Sequence, residues 1–229
     1  MASREQSWKR LREMPWAKKV AFRAALAKAN TKIQPVTDGY GAYRYDEYSI
    51  LVTKMPPDLT AESFLREMLR NLNKTVNDTQ FDTINEFSRK WKGAPVMGEI
   101  IEIDILGPDE GSVALAATQS DHFIFQTVET PGQGTHPEYG AREFGFEIVR
   151  GTVAYVGSRH SAVLNTKEAV KFYTRGVSRP NDRVTGWVGA DIQHRSWTRL
   201  IIGIGNEINR RGGVAVRNSI ACAKVAKAA

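Results

Sequence analysis

Side chains with catalytic potential are sparse in this sequence. His122, His136, His160 and His194 are its histidines and Cys222 its single cysteine. No histidine has a second one four residues on and none lies beside the cysteine, so a metal site of imidazole and thiolate ligands is not expected. A lone cysteine also excludes an intramolecular disulfide. The P-loop, the HExxH helix and the G-x-S-x-G elbow are all missing. Gly203-Ile204-Gly205 follows no strand pattern, so it is not a dinucleotide fingerprint, and no cofactor is implied.

Two positions stand out. His136 sits in the Gly/Pro-rich stretch Thr130–Gly140, the kind of loop on which functional side chains are displayed. An ordinary imidazole pKa near 6.5 suits proton transfer. With Glu138 and Arg142 it is a candidate residue of a cyclase- or hydrolase-like enzyme, although proximity in sequence does not by itself make a pair; a histidine that stabilises the turn is the simpler reading. Arg142 is the sharper case. Strand alternation places it with Phe144, Phe146 and Ile148 on the face to be buried, where an unpaired guanidinium is expensive. A carboxylate, carbonyls, water or an anionic head group must answer it. In one reading Arg142 anchors an acidic ligand whose apolar body rests on Phe123, Phe125, Phe144, Phe146 and Phe172. In the other it reaches water or an internal glutamate from the end of its strand. Arg175 shares the opposite face with Lys171 and Tyr173, so solvent-facing cross-strand pairs with Glu143 and Glu147 are expected, each worth tenths of a kcal/mol.

The elements that would position these residues follow from hydrophobic period. Pro15 should break a first helical turn around Ser7–Arg12. The run from Trp16 is rich in strong helix formers, with Val20, Ala24 and Ala27 on one stripe. Gln34–Gly41 is turn-rich, and Tyr43–Lys54 reads as a strand ended by Pro56 and Pro57. Asp58 or Thr60 can cap a helix whose stripe is Phe64, Leu65, Met68, Leu69 and Leu72. A second helix is expected through Phe81, Ile84, Phe87 and Trp91, stopped by Gly93. The period then falls to 2 in Val96–Leu106, a turn follows at Gly107–Gly111, and strands are expected over Ser112–Thr118, His122–Glu129, Ala141–Val149, Thr152–Gly157 and Val170–Arg175. A long helix from about Thr185 to Arg211 carries Ile192, Leu200, Ile201, Ile204 and Ile208, weakened by Gly203 and Gly205.

The predicted fold is therefore α+β. A curved antiparallel sheet of about six to seven strands packs on a long C-terminal helix in a helix-grip-like arrangement. A basic helical arm over 1–35 precedes a single domain over 36–229. A hollow between the helix and the sheet is expected.

Composition agrees with a folded chain. Of 229 residues, 41% are hydrophobic and 25% charged, ordinary for a globular protein. The net charge of +7 is segregated: residues 1–35 carry nine Lys/Arg against Glu5 and Glu13, 36–150 are strongly acidic, and 151–229 are basic again. That polarity disfavours a uniformly basic nucleic-acid binder. In the arm, Lys9, Arg10, Lys18, Lys19, Arg23 and Lys28 are candidates for contact with an anionic membrane surface or an acidic partner. The arm also reads as the remnant of a targeting segment, or as a solvated element packing Trp8, Trp16 and Phe22 on the body. No cleavable secretory signal or membrane span is evident, so the cytoplasm is the default compartment, with export by a signal-independent route as the alternative.

Element order resembles the helix-grip fold of START-like lipid-transfer and polyketide-cyclase-like proteins. More locally, the stretch from Met97 to Pro180 is similar to an uncharacterised bacterial family of that superfamily. The matching features are Gly98 before a strand ending Asp104-Ile105-Leu106-Gly107-Pro108, then Phe123 and Phe125. After them come His136-Pro137-Glu138-Tyr139-Gly140, Arg142 and Phe144, Phe172, and Ser178-Arg179-Pro180. Residues 1–34 and the insertion at 150–167 have no counterpart. The resemblance implies a pocket for an apolar or amphipathic small molecule and brings no defined activity.

Four functions follow from these readings. The first is binding of a small apolar or amphipathic ligand, lipid-like and in one variant acidic, between sheet and C-terminal helix. The second is a membrane- or partner-directed protein, such as a secreted effector, acting through the basic arm. A cyclase- or hydrolase-like enzyme comes third. Nucleic-acid binding through Arg195, Arg199, Arg210 and Arg211 with Trp187 and Trp197 comes last.

Overall fold

The computed structural model describes residues 3–77, 85–89, 93–105, 110–156, 161–182 and 185–227. Ser3 and Gln6 form a capping box on the first helix, α1 (Arg4–Glu13). Met14 then turns left-handed, and Pro15 opens a 3-10 turn reaching Lys18, so the break falls where the proline requires it. In α2 (Val20–Lys28) the buried side chains are Phe22 and Leu26. The Val20–Ala24–Ala27 stripe points into solvent instead; two bulky side chains bury more apolar area than one valine and two alanines.

The short β1 (Lys32–Ile33) and a 3-10 turn at Val36–Asp38 lead into β2 (Tyr43–Lys54). Thr60 caps α3 (Ala61–Arg70) in a box with Ser63, and the predicted stripe from Phe64 to Leu72 is buried. A single turn, α4 (Asn73–Val76), follows. The second helix expected beyond it is not formed over the described residues. Asn85–Arg89 is a strand, β3, paired antiparallel with β4 (Ile100–Ile105). Within it Phe87 is buried between exposed Glu86 and Ser88, which is the period of a strand; an open strand edge decided the conformation over the aromatic spacing. Phe81, Ile84 and Trp91 lie outside the described residues, as do Gly107–Asp109 and His160.

In β4, Ile101, Ile103 and Ile105 are buried while Asp104 is exposed, as the alternation predicts. Next come β5 (Glu110–Thr118) and β6 (His122–Glu129). A long hairpin of β7 (Glu138–Val156) and β8 (Ser161–Pro180) follows. The two strands expected at 141–149 and 152–157 are one, interrupted by a register shift between Val149 and Gly151. Helix α5 (Thr185–Arg210) ends within a residue of its predicted limit. It is not the last element. A further strand, β9 (Val214–Lys227), comes after it and pairs with β2. Alanines and exposed cations disguise this segment as a polar tail.

All pairings are antiparallel, in the order β3-β4-β5-β6-β7-β8-β2-β9, with β1 alongside β6. The sheet thus holds nine strands among the described residues rather than six or seven. β7 touches β9 although β8 and β2 separate them in the order, so the sheet curls. Each face has its own core. On the inner face, Ile50, Val52, Phe123, Phe144 and Phe172 meet Phe64 and Met68 of α3 and Leu200, Ile201, Ile204 and Ile208 of α5. The outer face packs Ala114, Ala116, Ile124 and Val177 against Trp8, Leu11, Trp16, Phe22 and Leu26. Residues 4–28 therefore form a third layer on the sheet. Gly203, which lowers the helix propensity of α5, has a packing reason: a Cβ there would stand 1.9 Å from the carbonyl oxygen of Thr75 in α4.

Candidate functional site

Strand register assembles the chemistry of the inner face into rungs. One runs Phe125, Arg142, Gly176, Asp46, Lys224, and the next Phe123, Phe144, Thr174, Tyr48, Cys222. Arg142 lies on the inner face, as its alternation with Phe144 predicts, and is answered from within. Its Nη2 donates to Asp46 Oδ2 at 2.7 Å, its Nη1 donates to Thr174 Oγ1 at 3.2 Å, and its guanidinium lies 4.2 Å from the ring centroid of Trp197. Gly176 makes room for this pair, since a Cβ there would fall 2.2 Å from Arg142 Nη2. Asp46 Oδ1 and Trp197 Nε1 are buried with no hydrogen-bond partner among the described residues. Beside them Tyr48 Oη and His194 Nδ1 are 3.1 Å apart. Burial, followed by Lys224, lowers the His194 pKa, and burial raises those of Tyr48 and Cys222.

The five phenylalanines proposed as ligand lining belong largely to the solid core. Phe123 and Phe144 stack at 4.9 Å, Phe125 and Trp197 close on Phe144 at 5.5 and 5.7 Å, and Phe172 sits between Phe64 and Phe146. Side chains thus fill the middle of the interface between α5 and the sheet, where the hollow was expected. Space lies to either side. A cavity of about 520 Å³ opens between the end of α3 and the β3–β4 wing, lined by Leu69, Leu72, Phe87, Ile101 and Phe125 with Arg70, Asn71 and Arg89. Arg89 holds Glu99 at 2.7 and 2.9 Å. Arg70 is exposed and makes no ion pair among the described residues. A second cavity, about 380 Å³, lies where Gln193 of α5 meets Asp46, Tyr48 and Lys224.

His136 and Glu138 are both buried and joined through the backbone: the Glu138 N–H donates to His136 Nδ1 at 3.0 Å. Gln34 grips the His136 backbone on both its N–H and its carbonyl. This is the turn-stabilising arrangement. Arg44 donates to Glu138 Oε1 at 3.1 Å. Burial pushes the Glu138 carboxyl up to about 7 against the pull of Arg44, and burial pushes the His136 imidazole down to about 4.

These two shifts act on stability with opposite sign. Glu138 contributes stability below its unfolded value of 4.5 that is lost as pH rises through about 7. His136 contributes stability above 6.5 that is lost as pH falls through about 4. Each is worth on the order of 3 kcal/mol, so between pH 4.5 and 6.5 they offset one another. Glu138→Gln unmasks the histidine: relative to the parent, its unfolding free energy should rise by about 3 kcal/mol between pH 4 and 8. His136→Gln should fall by a similar amount over that range. Urea unfolding at a series of pH values measures both, and parallel pH profiles for parent and variants would refute the opposition.

The face bearing Arg175 differs most from expectation. Its ion pairs are not at the surface, because α1 covers them. Arg175 is 1% exposed. Its Nε donates to Glu47 at 2.6 Å, its Nη1 to Ser7 Oγ at 3.2 Å and its Nη2 to Glu147 at 3.2 Å. Its guanidinium also lies 3.7 Å from the Tyr173 ring centroid. Lys171 completes the group through Glu47 and Glu147. Glu143, wholly buried, accepts from Ser7, Tyr173 and Arg10. Burial opposes ionisation of Glu47, but Lys171 and Arg175 hold its carboxyl below the usual range.

Of the arm's candidate contacts, Arg10 is committed to Glu143, whereas Lys9, Lys18, Lys19, Arg23 and Lys28 are exposed. The residues weighed for nucleic acid do not gather into a free patch. Trp197 is in the inner core, Arg195 pairs with Asp191, and Arg210 and Arg211 pair with Glu207. The Trp187 side chain lies outside the described residues. Among the described residues no three His, Cys, Asp or Glu side chains converge as a metal ion would require.

Sequence reasoning missed Asp46, and it weighed Trp197 for a nucleic-acid surface rather than as the partner of Arg142. The alternation of Asp46 and Tyr48 with Ile50 and Val52 carries the signal for Asp46, since it places a carboxylate on the face of Arg142. Trp197 had only its helical spacing to the Leu200–Ile201 stripe.

In comparisons with known proteins, the chain matches no family model and none of the curated proteins.

Proposed function

We propose that this protein binds a small amphipathic molecule with an acidic head group in the cavity between α3 and the β3–β4 wing. The observation that carries the reading is the pairing of about 520 Å³ of space with an apolar floor of Leu69, Leu72, Phe87, Ile101 and Phe125 and a cationic wall. Pockets for small ligands span this size. Arg70 is the head-group ligand in this reading, because Arg89 is already neutralised by Glu99. The space proposed for the ligand lies under α3 rather than under α5, where the sequence placed it.

Native mass spectrometry of freshly purified protein would detect a retained ligand. Dodecanoate and dodecanol, titrated by calorimetry, separate head from tail. Arg70→Glu should weaken dodecanoate binding about tenfold, equivalent to about 1.4 kcal/mol, and leave dodecanol unchanged. Absence of saturable binding by either compound would overturn the reading.

A further inference from the structure

Because Phe22 and Leu26 occupy the inward side of α2, its outward crest carries Val20, Ala24 and Ala27. Val20 is 83% exposed. Lys19, Arg23 and Lys28 stand around this crest, with Lys18 just before it and Arg12 at the end of α1, all exposed. None of these five cations is within ion-pair distance of a carboxylate among the described residues. The contrast with Arg10, on the inward side of the same segment and bound to Glu143, is direct. A second apolar element abuts this helix. Gly98 packs so closely on Ala25 that a Cβ would fall 2.3 Å from the alanine's, and the adjoining Val96 and Met97 are 58% and 36% exposed.

We infer that the outward face of α2, with Lys18 and the Val96–Met97 loop beside it, docks on an anionic lipid surface. A shallow aliphatic crest set among unneutralised cations matches the headgroup boundary, where apolar tips enter and charges remain among the phosphates. Each such cation multiplies partitioning onto an anionic bilayer about fivefold, screened by salt. Nucleic acid fits less well: stacking requires exposed aromatics, and Trp8, Trp16 and Phe22 are all turned into the outer core. No helix among the described residues is long and apolar enough to cross a membrane, so the contact is one of surface attachment. This inference does not rest on the cavity under α3.

Sedimentation of the full chain with vesicles tests it. The protein should pellet with phosphatidylcholine vesicles containing phosphatidylserine and not with phosphatidylcholine alone, and added salt should release it. Lys19→Glu combined with Arg23→Glu, and separately Val20→Asp, should each reduce the pelleted fraction at least about tenfold. Lys54→Glu, a charge change on another element, should leave it unchanged. Circular dichroism confirms that the variants remain folded. The proposal is overturned by equal binding to both vesicle types, by no pelleting, or by α2 variants that pellet like the parent. Binding to single-stranded DNA without vesicle binding would also overturn it.

Discussion

Replacing Arg175 by alanine is expected to lower the unfolding free energy by about 3–5 kcal/mol. The magnitude follows from what remains. Without the guanidinium, Glu47 keeps only Lys171, Glu147 loses one of its two cations, and the Ser7 hydroxyl loses a donor. Glu47 and Ser7 are buried where α1 covers the sheet, so solvent does not replace the lost partner there, whereas Glu147 keeps partial access to water. A surface pair would have cost tenths of a kcal/mol. Denaturant unfolding distinguishes the two cases, and a loss below about 1 kcal/mol would mean that water reaches the cluster. A second variant identifies the cause. Combining Arg175→Met with Glu47→Gln removes both members of the closest ion pair and should recover much of the loss, because a buried pair replaced as a unit is nearly neutral.

Arg142→Leu should cost a comparable amount, about 3–5 kcal/mol, on the opposite face. Asp46 already has one oxygen without a partner among the described residues, and losing Arg142 strips the other of its 2.7 Å hydrogen bond. The Trp197 ring loses the cation stacked on it as well. Had this arginine been held in reserve for a ligand, its removal would spare the fold. Unaltered stability in Arg142→Leu would therefore show that Asp46 is not its true counterion. Asp46→Asn in the same background should restore part of the loss by removing the stranded charge.

Much of this architecture can be read from the chain because the burial period is strong where the elements are long. Tyr43–Lys54, the Phe64–Leu72 stripe, the Ile101–Ile103–Ile105 alternation and the Thr185–Arg210 helix each follow from local residues. What failed depended on distant partners. Asn85–Arg89 is a strand because β4 offers it an edge, and Val214–Lys227 is one because β2 does; neither demand is visible within the segment. The parity of Lys171, Tyr173 and Arg175 was correctly assigned to the outer face. That this face is covered is a fact about α1, more than 150 residues away in sequence. For the site, alternation located Arg142 but could not supply Asp46, whose strand lies 96 residues earlier in the chain. The aromatic faces were identified as buried, yet their mutual contacts, which decide between filled core and open pocket, are properties of three elements at once.

The position of β2 also bears on how the polypeptide acquires its shape during synthesis. Residues 43–54 leave the ribosome well before both neighbours of this strand, β8 and β9, are made. Its backbone groups must wait for partners made much later, the sort of long loop closure that slows folding. A nascent chain stopped short of Val214 would leave one margin of this early strand open to chaperones or to neighbouring chains. Synthesis of Val214–Lys227, rather than any feature of residues 43–54 themselves, is what covers the second edge of this strand.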